Sequence, residues 1–230
     1  MLEIKIGHRG AGGEAPENTL KSFDEAIKRN VVNAIELDVR RTKDKKLIVM
    51  HDEKLKRLAG IDKYVGELTL KEIKEIRIGG EQIPTLKEAL DFIDHKVKYI
   101  LIEIKEPGYE EEILKEAKSV KDIAIIVSFH EDALRRVREL DDKIKTGFIY
   151  VNERRPIEKA LELKAQYLLP LYRFTHTEDV EKAHENGLKV IVWTINTREE
   201  AIEYAKKGVD GIATDYPEIV NYPTLTDGAS

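Results

Sequence analysis

Segments typical of strands and segments typical of helices alternate along almost the whole chain. Short runs rich in β-branched residues are each followed by an amphipathic stretch with apolar residues three and four positions apart. The predicted strands cover residues 2–8, 33–39, 98–105, 123–129, 144–150, 165–171, 188–193 and 209–214. The predicted helices cover residues 17–30, 85–94, 109–119, 131–140, 156–164, 177–186 and 197–207. Such alternation predicts an α/β protein with a parallel sheet covered by helices.

Eight strands in this pattern favour a TIM (β/α)8 barrel, and 230 residues suit one such barrel. The alternative is an open doubly wound sheet, but no Gly-rich phosphate-binding fingerprint follows the first strand. Gly187 and Gly208 directly follow predicted helices, where glycine commonly ends a helix before the next strand. We expect one domain over residues 1–223 and a small, polar, flexible tail at residues 224–230.

One segment interrupts the alternation. More than 40 residues separate Asp38 from the helix predicted near Thr85, which is too many for an ordinary connection between a strand and a helix. Residues 47–50 are typical of a short strand, and Thr69 with Glu72 three positions later predicts a capped helix start. The chain therefore predicts a small insertion after the second strand, at about residues 52–82.

Composition excludes several classes of protein. Cysteine is absent, so neither a disulfide framework nor a thiolate metal site is available. Charged residues make up 36% of the chain and leave a net charge of −5, with no basic stripe for nucleic acid. No segment approaches the ~18 apolar residues of a membrane span, and no signal peptide is recognisable, so we expect a cytoplasmic protein. The abundance of Lys and Glu with two Met is typical of thermophilic proteins.

Carboxylates stand near the ends of two predicted strands. Glu36 and Asp38 are two residues apart and therefore share one face of a strand, and Glu103 with Lys105 repeats this spacing on the next barrel strand. Three converging carboxylates repel one another, and a divalent cation would relieve that repulsion. Oxygen ligands favour Mg²⁺ or Ca²⁺, with Mn²⁺ as a further candidate. Alternatively, Glu36 and Asp38 only form an ion pair that closes the barrel end, with one of three basic residues: Arg40, Arg41 or Lys105.

Two histidines stand at comparable positions. His8 and Arg9 close the first predicted strand, and His51 closes the short strand at residues 47–50. Since TIM-barrel active sites form at these strand ends, two histidines beside a metal suit acid–base cleavage of a phosphodiester. The other histidines are expected to be surface or structural residues: His95, His130, His176 and His184.

A Gly-rich loop follows His8 and Arg9. It is expected to lead into a helix that starts at or near Pro16, because proline favours the first helical position. Its backbone N–H groups could face an anion. Glu17 and Asn18 are then either ordinary helix-start residues or part of the site.

Eight sequence blocks, in this order, resemble the glycerophosphodiester phosphodiesterase family. The resemblance runs from residue 4 to about residue 220, and eight blocks together are far more specific than any one of them. The blocks are His8-Arg9-Gly10, Pro16-Glu17-Asn18-Thr19, Glu36-Leu37-Asp38-Val39, Val49-Met50-His51-Asp52, Ile83-Pro84-Thr85-Leu86, Leu101-Ile102-Glu103-Ile104-Lys105, Trp193-Thr194-Ile195-Asn196 and the run from Gly208 to Pro217.

The resemblance implies a TIM barrel with an insertion after its second strand. It also implies hydrolysis of small-molecule glycerophosphodiesters to glycerol phosphate and an alcohol. Transferred onto the matching positions, the metal ligands would be Glu36, Asp38 and Glu103. The acid–base pair would be His8 and His51. Phosphate and substrate would be held by Arg9, Lys105, Asn18 and Trp193, with Trp193 packed against the glycerol or the alcohol.

The insertion departs from the family pattern, because Arg57-Leu58-Ala59 stands where bacterial members have Arg-Thr-Thr. The identity of the leaving alcohol is therefore left open. The sequence also leaves open the oligomeric state, the metal, the stereochemistry of the glycerol phosphate and the role of each histidine. The nucleophile is either water or a neighbouring glycerol hydroxyl.

One alternative function is that of a lysophospholipase D-like enzyme. An apolar patch at the barrel mouth would favour it, but the insertion is largely polar, with Ile61 and Tyr64 as its best candidates. Another alternative is a barrel that binds a phosphorylated ligand without turnover.

Overall fold

The computed structural model describes residues 2–221, which form a barrel of strands surrounded by helices. The strands are β1 (Ile4–Gly7), β2 (Ala34–Arg41), β3 (Leu47–Val49), β4 (Arg77–Ile78), β5 (Glu81–Gln82), β6 (Tyr99–Ile104), β7 (Ala124–Ser128), β8 (Lys145–Tyr150), β9 (Tyr167–Pro170), β10 (Lys189–Val192) and β11 (Gly211–Thr214). The α-helices are α1 (Leu20–Lys28), α2 (Lys56–Ala59), α3 (Leu70–Glu75), α4 (Leu86–Ile93), α5 (Glu110–Glu116), α6 (Glu131–Leu140), α7 (Pro156–Glu162), α8 (Thr177–Glu185) and α9 (Arg198–Lys206). Short 3-10 helices cover Val65–Glu67, Ala117–Val120, Tyr172–Phe174 and Pro217–Val220.

Eight parallel strands close the barrel. They are β1, β2 and β6 to β11, and β1 pairs with both β2 and β11, so the sheet is continuous. The prediction of a TIM barrel with an insertion after the second strand is confirmed, and the open doubly wound sheet is excluded. The pairing of β2 with β6 places Asp38 directly beside Glu103. The ends of these two strands therefore bring their carboxylates together.

Alternation along the strands separates two apolar layers. Leu37 and Val39 point outward, where they pack with helix residues, whereas Ile6 and Leu101 belong to the smaller cluster inside the barrel. Both layers are almost fully buried. Burial at roughly 25 cal/mol per Å² of apolar surface makes these layers the main stabilising contribution to the barrel. The middle of the barrel interior is apolar, and Glu36, Asp38 and Glu103 are buried towards the carboxyl ends of its strands.

The first helix starts later than predicted. The expectation of a start at or near Pro16 is wrong, because α1 begins at Leu20 with Thr19 as its N-cap. The Thr19 hydroxyl accepts a hydrogen bond from the Ser22 backbone N–H at 3.2 Å. Asn18 has a φ of 59°, which a right-handed helix does not allow, so the preceding loop extends through it. The helix ends predicted before Gly187 and Gly208 are confirmed, since both glycines have positive φ.

The segment after β2 forms a small layer with a core of its own. Strand β3 pairs antiparallel with β2, and the Met50 N–H donates to the Asp38 carbonyl at 2.9 Å. This pairing delivers His51 to the carboxyl end of the barrel. The predicted cap at Thr69 is confirmed, because its side chain accepts from the Glu72 N–H. The apolar residues of this layer are Ile48, Met50, Leu55, Val65, Leu68, Ile73, Ile78 and Ile83.

Two further expectations concern the C-terminal tail and membrane-spanning helices. The tail expected at residues 224–230 lies outside the described residues. Within residues 2–221, no helix has both the length and the apolar character needed to cross a membrane.

The loop after β1 requires glycine at position 10. Gly10 has a φ of +82°, and a Cβ there would lie 2.5 Å from the Ser22 backbone in α1. Gly60 has a similar φ of +71° but no atom within 4 Å of its Cβ position. We expect Gly10→Ala to lower the free energy of unfolding by about 2–4 kcal/mol, through strain plus the clash. Gly60→Ala should cost about 1–2 kcal/mol from strain alone.

Urea unfolding of the two variants measures this difference. Equal losses would show that close packing of the loop on α1 is not the reason for glycine at position 10.

Candidate active site

Three buried carboxylates meet at the carboxyl end of the barrel. Glu36 and Asp38 come from β2 and Glu103 comes from β6. One oxygen of each carboxylate lies within 4.8 Å of one oxygen of the other two. All three side chains are buried, with exposures of 6%, 1% and 8% respectively. Burial of such a group of anions is costly without positive charge nearby.

Two basic side chains supply part of that charge. The Lys105 Nζ lies 2.7 Å from the Glu103 Oε1 and 3.4 Å from the Asp38 Oδ1. The Arg9 Nε lies 3.2 Å from the Asp38 Oδ2. Burial alone would raise the pKa of Asp38, but the charges of Lys105 and Arg9 lower it to about 2. Asp38 is therefore ionised at neutral pH.

Glu36 and Glu103 are less well compensated. Burial and the negative charge of Asp38 raise the pKa of Glu103 to about 7, although Lys105 opposes this shift. Burial and the charges of Asp38 and Glu103 also raise the pKa of Glu36 well above its usual value. The Glu36 Oε2 accepts from the Arg9 backbone N–H at 3.0 Å, but its Oε1 is buried without a hydrogen-bond partner. An oxygen-lined cluster with an unpartnered carboxylate oxygen fits a divalent cation.

Each of the two histidines at this end is held by an aspartate. The His8 Nδ1 lies 2.7 Å from the Asp215 Oδ1, and the His51 Nδ1 lies 2.7 Å from the Asp52 Oδ1. An ionised carboxylate only accepts hydrogen bonds, so each Nδ1 carries a proton. Each Nε2 is then free for chemistry. Asn196 also donates to the Asp215 Oδ2 at 2.7 Å, which fixes that carboxylate.

The two histidines differ in their surroundings. The His8 Nε2 lies 3.9 Å from the Glu36 Oε2, next to the carboxylate cluster. Burial lowers the pKa of His51, and the nearby Arg9 and Lys105 charges act in the same direction, although Asp38 opposes them. His51 is therefore neutral at pH 7, and its Nε2 is a proton acceptor.

Asn18 is buried and contacts a carboxylate. Its Nδ2 donates to the Asp38 Oδ2 at 2.8 Å, and its Oδ1 accepts from the Asp38 backbone N–H at 3.3 Å. Asn18 therefore orients a member of the acidic cluster, and its contact with phosphate stays a prediction.

A cavity of about 210 Å³ opens beside the cluster, and its two halves differ in character. Its polar half contains His8, Arg9, Glu36, His51, Glu103 and Lys105. Its apolar half contains Leu101, Val127, Phe129, Ile149, Leu169, Ile191, Trp193 and Ala213. The Trp193 Nε1 donates to the Leu169 carbonyl at 2.8 Å, and its ring packs edge-to-face on Phe129 at 5.6 Å. The cavity therefore suits a molecule with one anionic and one uncharged part.

Comparison with known proteins identifies the family of this chain. The sequence model of the glycerophosphoryl diester phosphodiesterase family matches residues 8–219. The chain belongs to this family. A glycerophosphodiester phosphodiesterase of Caldanaerobacter subterraneus subsp. tengcongensis is 37% identical over 234 residues, covering 95% of this chain and 96% of the relative. The family resemblance stated from the sequence blocks is confirmed, and so is the expectation of an enzyme of this family.

Solved structures of family members share the whole architecture. A glycerophosphodiester phosphodiesterase from Thermotoga maritima superposes with a TM-score of 0.85 at 32% identity, covering 95% of this chain and 97% of that one. A phosphodiesterase from Oleispira antarctica, in complex with the product sn-glycerol-3-phosphate, gives a TM-score of 0.87 at 28% identity, with 95% of each chain covered. The barrel and its insertion are therefore those of the family.

Four side chains near the site were not predicted as site residues from the sequence. Asp215 directly follows β11, and Phe129 directly follows β7. TIM-barrel active sites form at the carboxyl ends of the strands, so examining the end of every strand would have predicted both residues as site residues. Asp52 stands next to His51 in the sequence, but only the structure shows its contact with the imidazole ring. The sequence left Glu17 either as a helix-start residue or as part of the site, and its carboxylate accepts from the Arg9 Nη1 at 2.9 Å.

If the carboxylate cluster binds a divalent cation, the metal should raise the thermal stability of the folded protein. With Mg²⁺, Ca²⁺ or Mn²⁺ at about 100 times its Kd, we expect the Tm of the metal-stripped protein to rise by roughly 5–10 °C. Glu36→Gln should abolish most of this rise, because it removes a ligand charge. Differential scanning calorimetry measures the shift.

Glu116→Gln is the matched control. Glu116 is half-buried and also has an unpartnered carboxylate oxygen, but it lies in α5, outside the cluster. A metal shift that persists in Glu36→Gln, or disappears in Glu116→Gln, would contradict assignment of the metal to the cluster.

Proposed function

We propose that this protein hydrolyses small-molecule glycerophosphodiesters to glycerol phosphate and an alcohol. One observation carries the proposal. Two histidines, each held through Nδ1 by an aspartate, line the same cavity as Glu36 and Glu103 of the buried carboxylate cluster. The product bound to the Oleispira antarctica neighbour supports glycerol phosphate as the product here.

Glu36, Asp38 and Glu103 would hold one divalent cation. A cation there would supply positive charge to the phosphate and lower the pKa of the attacking water or hydroxyl group. Hard oxygen ligands suit Mg²⁺, Ca²⁺ or Mn²⁺. Asn18 would support the site by fixing the orientation of the Asp38 carboxylate.

Arg9 and Lys105 would hold the phosphate group of the substrate. Both line the cavity, and both are tied to carboxylates that fix their positions. Burial would lower the pKa of Lys105, but Asp38 and Glu103 raise it above its usual value, so its charge is retained at neutral pH. Fixed cations in a partly buried site stabilise charge on a transferring phosphoryl group without reorganising.

His8 and His51 would move the protons. Cleavage requires one group to take the proton of the attacking oxygen and another to protonate the oxygen of the leaving alcohol. The neutral state of His51 suits the first role, and His8, beside Glu36, then serves as the acid. Asp52 and Asp215 keep each Nε2 directed at the cavity.

The attacking oxygen is either water or the glycerol hydroxyl beside the phosphate. Phosphorus NMR of the reaction mixture separates the two routes, because the second passes through a cyclic phosphate. Its transient appearance would assign the glycerol hydroxyl as nucleophile.

The apolar half of the cavity would take the carbon skeleton of the substrate. Trp193 and Phe129 present ring surfaces there, and the indole N–H of Trp193 is already bound to Leu169. A phosphate on the polar half would place the glycerol or the alcohol against these rings.

Histidine variants test the proposed chemistry. With glycerophosphocholine and added Mg²⁺, Ca²⁺ or Mn²⁺, we expect His51→Ala to lower kcat by about 10²–10⁴-fold, because proton transfer is lost. Release of glycerol phosphate is the measurement. His184→Ala is the matched control, since His184 also pairs with an aspartate, Asp210 at 2.8 Å, but does not line the cavity.

Two results would refute the proposal. Equal activity of His51→Ala and wild type would remove the acid–base role. A folded wild-type protein that turns over no glycerophosphodiester with any of these metals would favour a barrel that binds phosphorylated ligands without hydrolysis.

A lysolipid substrate is the second candidate, and one observation favours it. Among the described residues, most of the large hydrophobic side chains that are exposed lie in the insertion or in loops after barrel strands, around the mouth of the site. They are Tyr64, Phe129, Val151, Phe174 and Tyr216. An acyl chain needs such a surface.

The two substrate classes are separated by comparing kcat/KM for lysophosphatidylcholine and glycerophosphocholine. If an acyl chain lies on the mouth, Phe174→Ser lowers kcat/KM for the lysolipid and leaves that for glycerophosphocholine unchanged. Equal effects on both substrates, or no lysolipid turnover, would eliminate this candidate.

A further inference from the structure

Arg57 joins two loops of the site from the insertion above them. It lies in α2, and its guanidinium donates four hydrogen bonds to two carboxylates. Its Nε and Nη2 reach the two Asp52 oxygens at 2.7 and 2.9 Å. Its Nη1 and Nη2 reach the two Glu17 oxygens at 3.0 and 2.7 Å. Both contacts are bidentate, which is the strong form of an arginine–carboxylate pair.

Each of these carboxylates holds a further residue of the site. The Asp52 Oδ1 contacts the His51 Nδ1 at 2.7 Å, and the Glu17 Oε1 accepts from the Arg9 Nη1 at 2.9 Å. Two chains of contacts therefore start at Arg57. One leads through Asp52 to His51, and the other leads through Glu17 to Arg9.

We infer that Arg57 is a positioning residue that orients His51 and Arg9 together. The inference rests on the proposed function, in which His51 transfers a proton and Arg9 holds the phosphate. Glu17 belongs to the loop after β1 and Asp52 follows β3, so a single guanidinium sets the spacing of the two loops. Loss of Arg57 therefore affects proton transfer and phosphate binding at once.

The environment of Arg57 supports orientation rather than stability as its role. The side chain is 49% exposed, and ion pairs of such exposure contribute little to folding. The carboxylates that it contacts are less exposed, at 13% for Glu17 and 22% for Asp52. Hydrogen bonds from Arg57 lower the pKa of Asp52, and they also lower that of Glu17 against the effect of burial. Both carboxylates therefore stay ionised and able to accept from their partners.

The planar fork of arginine is essential to this arrangement. Lysine carries the same charge on one ammonium group, which cannot form two bidentate pairs at once. A purely electrostatic role would be restored by Arg57→Lys, whereas a geometric role would not. Arg57→Met, which removes charge and fork together, completes the comparison.

Kinetics of these variants give the first test. With glycerophosphocholine and metal, we expect Arg57→Met to lower kcat/KM by about 10- to 100-fold, as for other groups that orient active-site ligands. The loss should appear in both kcat and KM, and Arg57→Lys should recover only part of it. Arg77→Met is the control, because Arg77 lies in the same insertion, is exposed, and donates to the backbone carbonyls of Lys74 and Ile76.

Double-mutant cycles identify the two paths. If Arg57 acts on His51 through Asp52, Arg57→Met adds little further loss of kcat in an Asp52→Asn background. If it acts on Arg9 through Glu17, it adds little further rise of KM in a Glu17→Gln background. Additive effects in both cycles would overturn the inference.

Histidine NMR of the metal-free protein provides a readout that is independent of turnover. In the wild type, the ring of His51 should show the tautomer protonated at Nδ1. In Arg57→Met, where Asp52 is released, it should show averaging between the two tautomers.

The outcomes separate the inference from the proposed function. An active wild type with unchanged kcat and KM in Arg57→Met overturns the inference alone. An inactive wild type overturns the proposed function, and the NMR result then decides the positioning role. An unchanged His51 tautomer in Arg57→Met contradicts that role.

Discussion

Burial of three carboxylates beside two basic side chains at one end of the barrel is the constraint on which the site depends. The β2–β6 register places Asp38 next to Glu103, and the strand period brings Glu36 to the same face. Charges in such a position cost several kcal/mol each unless they are paired. Arg9 and Lys105 pair mainly with Asp38 and Glu103, which leaves Glu36 with an unpartnered oxygen. The charges of these protein groups alone do not balance, and the proposed divalent cation would complete the balance.

The barrel and its insertion supply different parts of this arrangement. Strand ends provide the carboxylates, His8 and Lys105, whereas His51 arrives through β3 and the layer that follows it. The small core of that layer gives it a fixed position above the barrel. Functional groups on rigid elements keep their geometry better than groups on free loops. The insertion is therefore part of the site.

The sequence predicted the barrel and the strand-end residues because both follow from local periodicity. A strand of alternating residues determines which side chains face inward, and parallel strands all end on one side. Partners of those residues were not predictable in the same way. The contact of His8 with Asp215 spans 207 positions, and the contact of Arg57 with Glu17 spans 40. Only the tertiary fold decides such pairs.

Competition between a local helix preference and a tertiary contact explains why the first helix starts later than predicted. Pro16 is a typical first helical residue, but Asn18 uses its side chain to bind Asp38 and adopts a left-handed backbone conformation. The helix then begins after Thr19, whose hydroxyl caps it. A contact that serves the acidic cluster therefore overrides a local preference for helix. The deviation from the prediction lies at the candidate site, where such conflicts are expected.

The most direct measurement is an anomalous-scattering map of crystals grown with Mn²⁺. If the carboxylate cluster is a metal site, a manganese peak lies between Glu36, Asp38 and Glu103, and Lys105 stays beside Glu103. A map with no manganese at the cluster at saturating concentration, with the three carboxylates paired only to Arg9 and Lys105, would contradict a metal centre in this barrel.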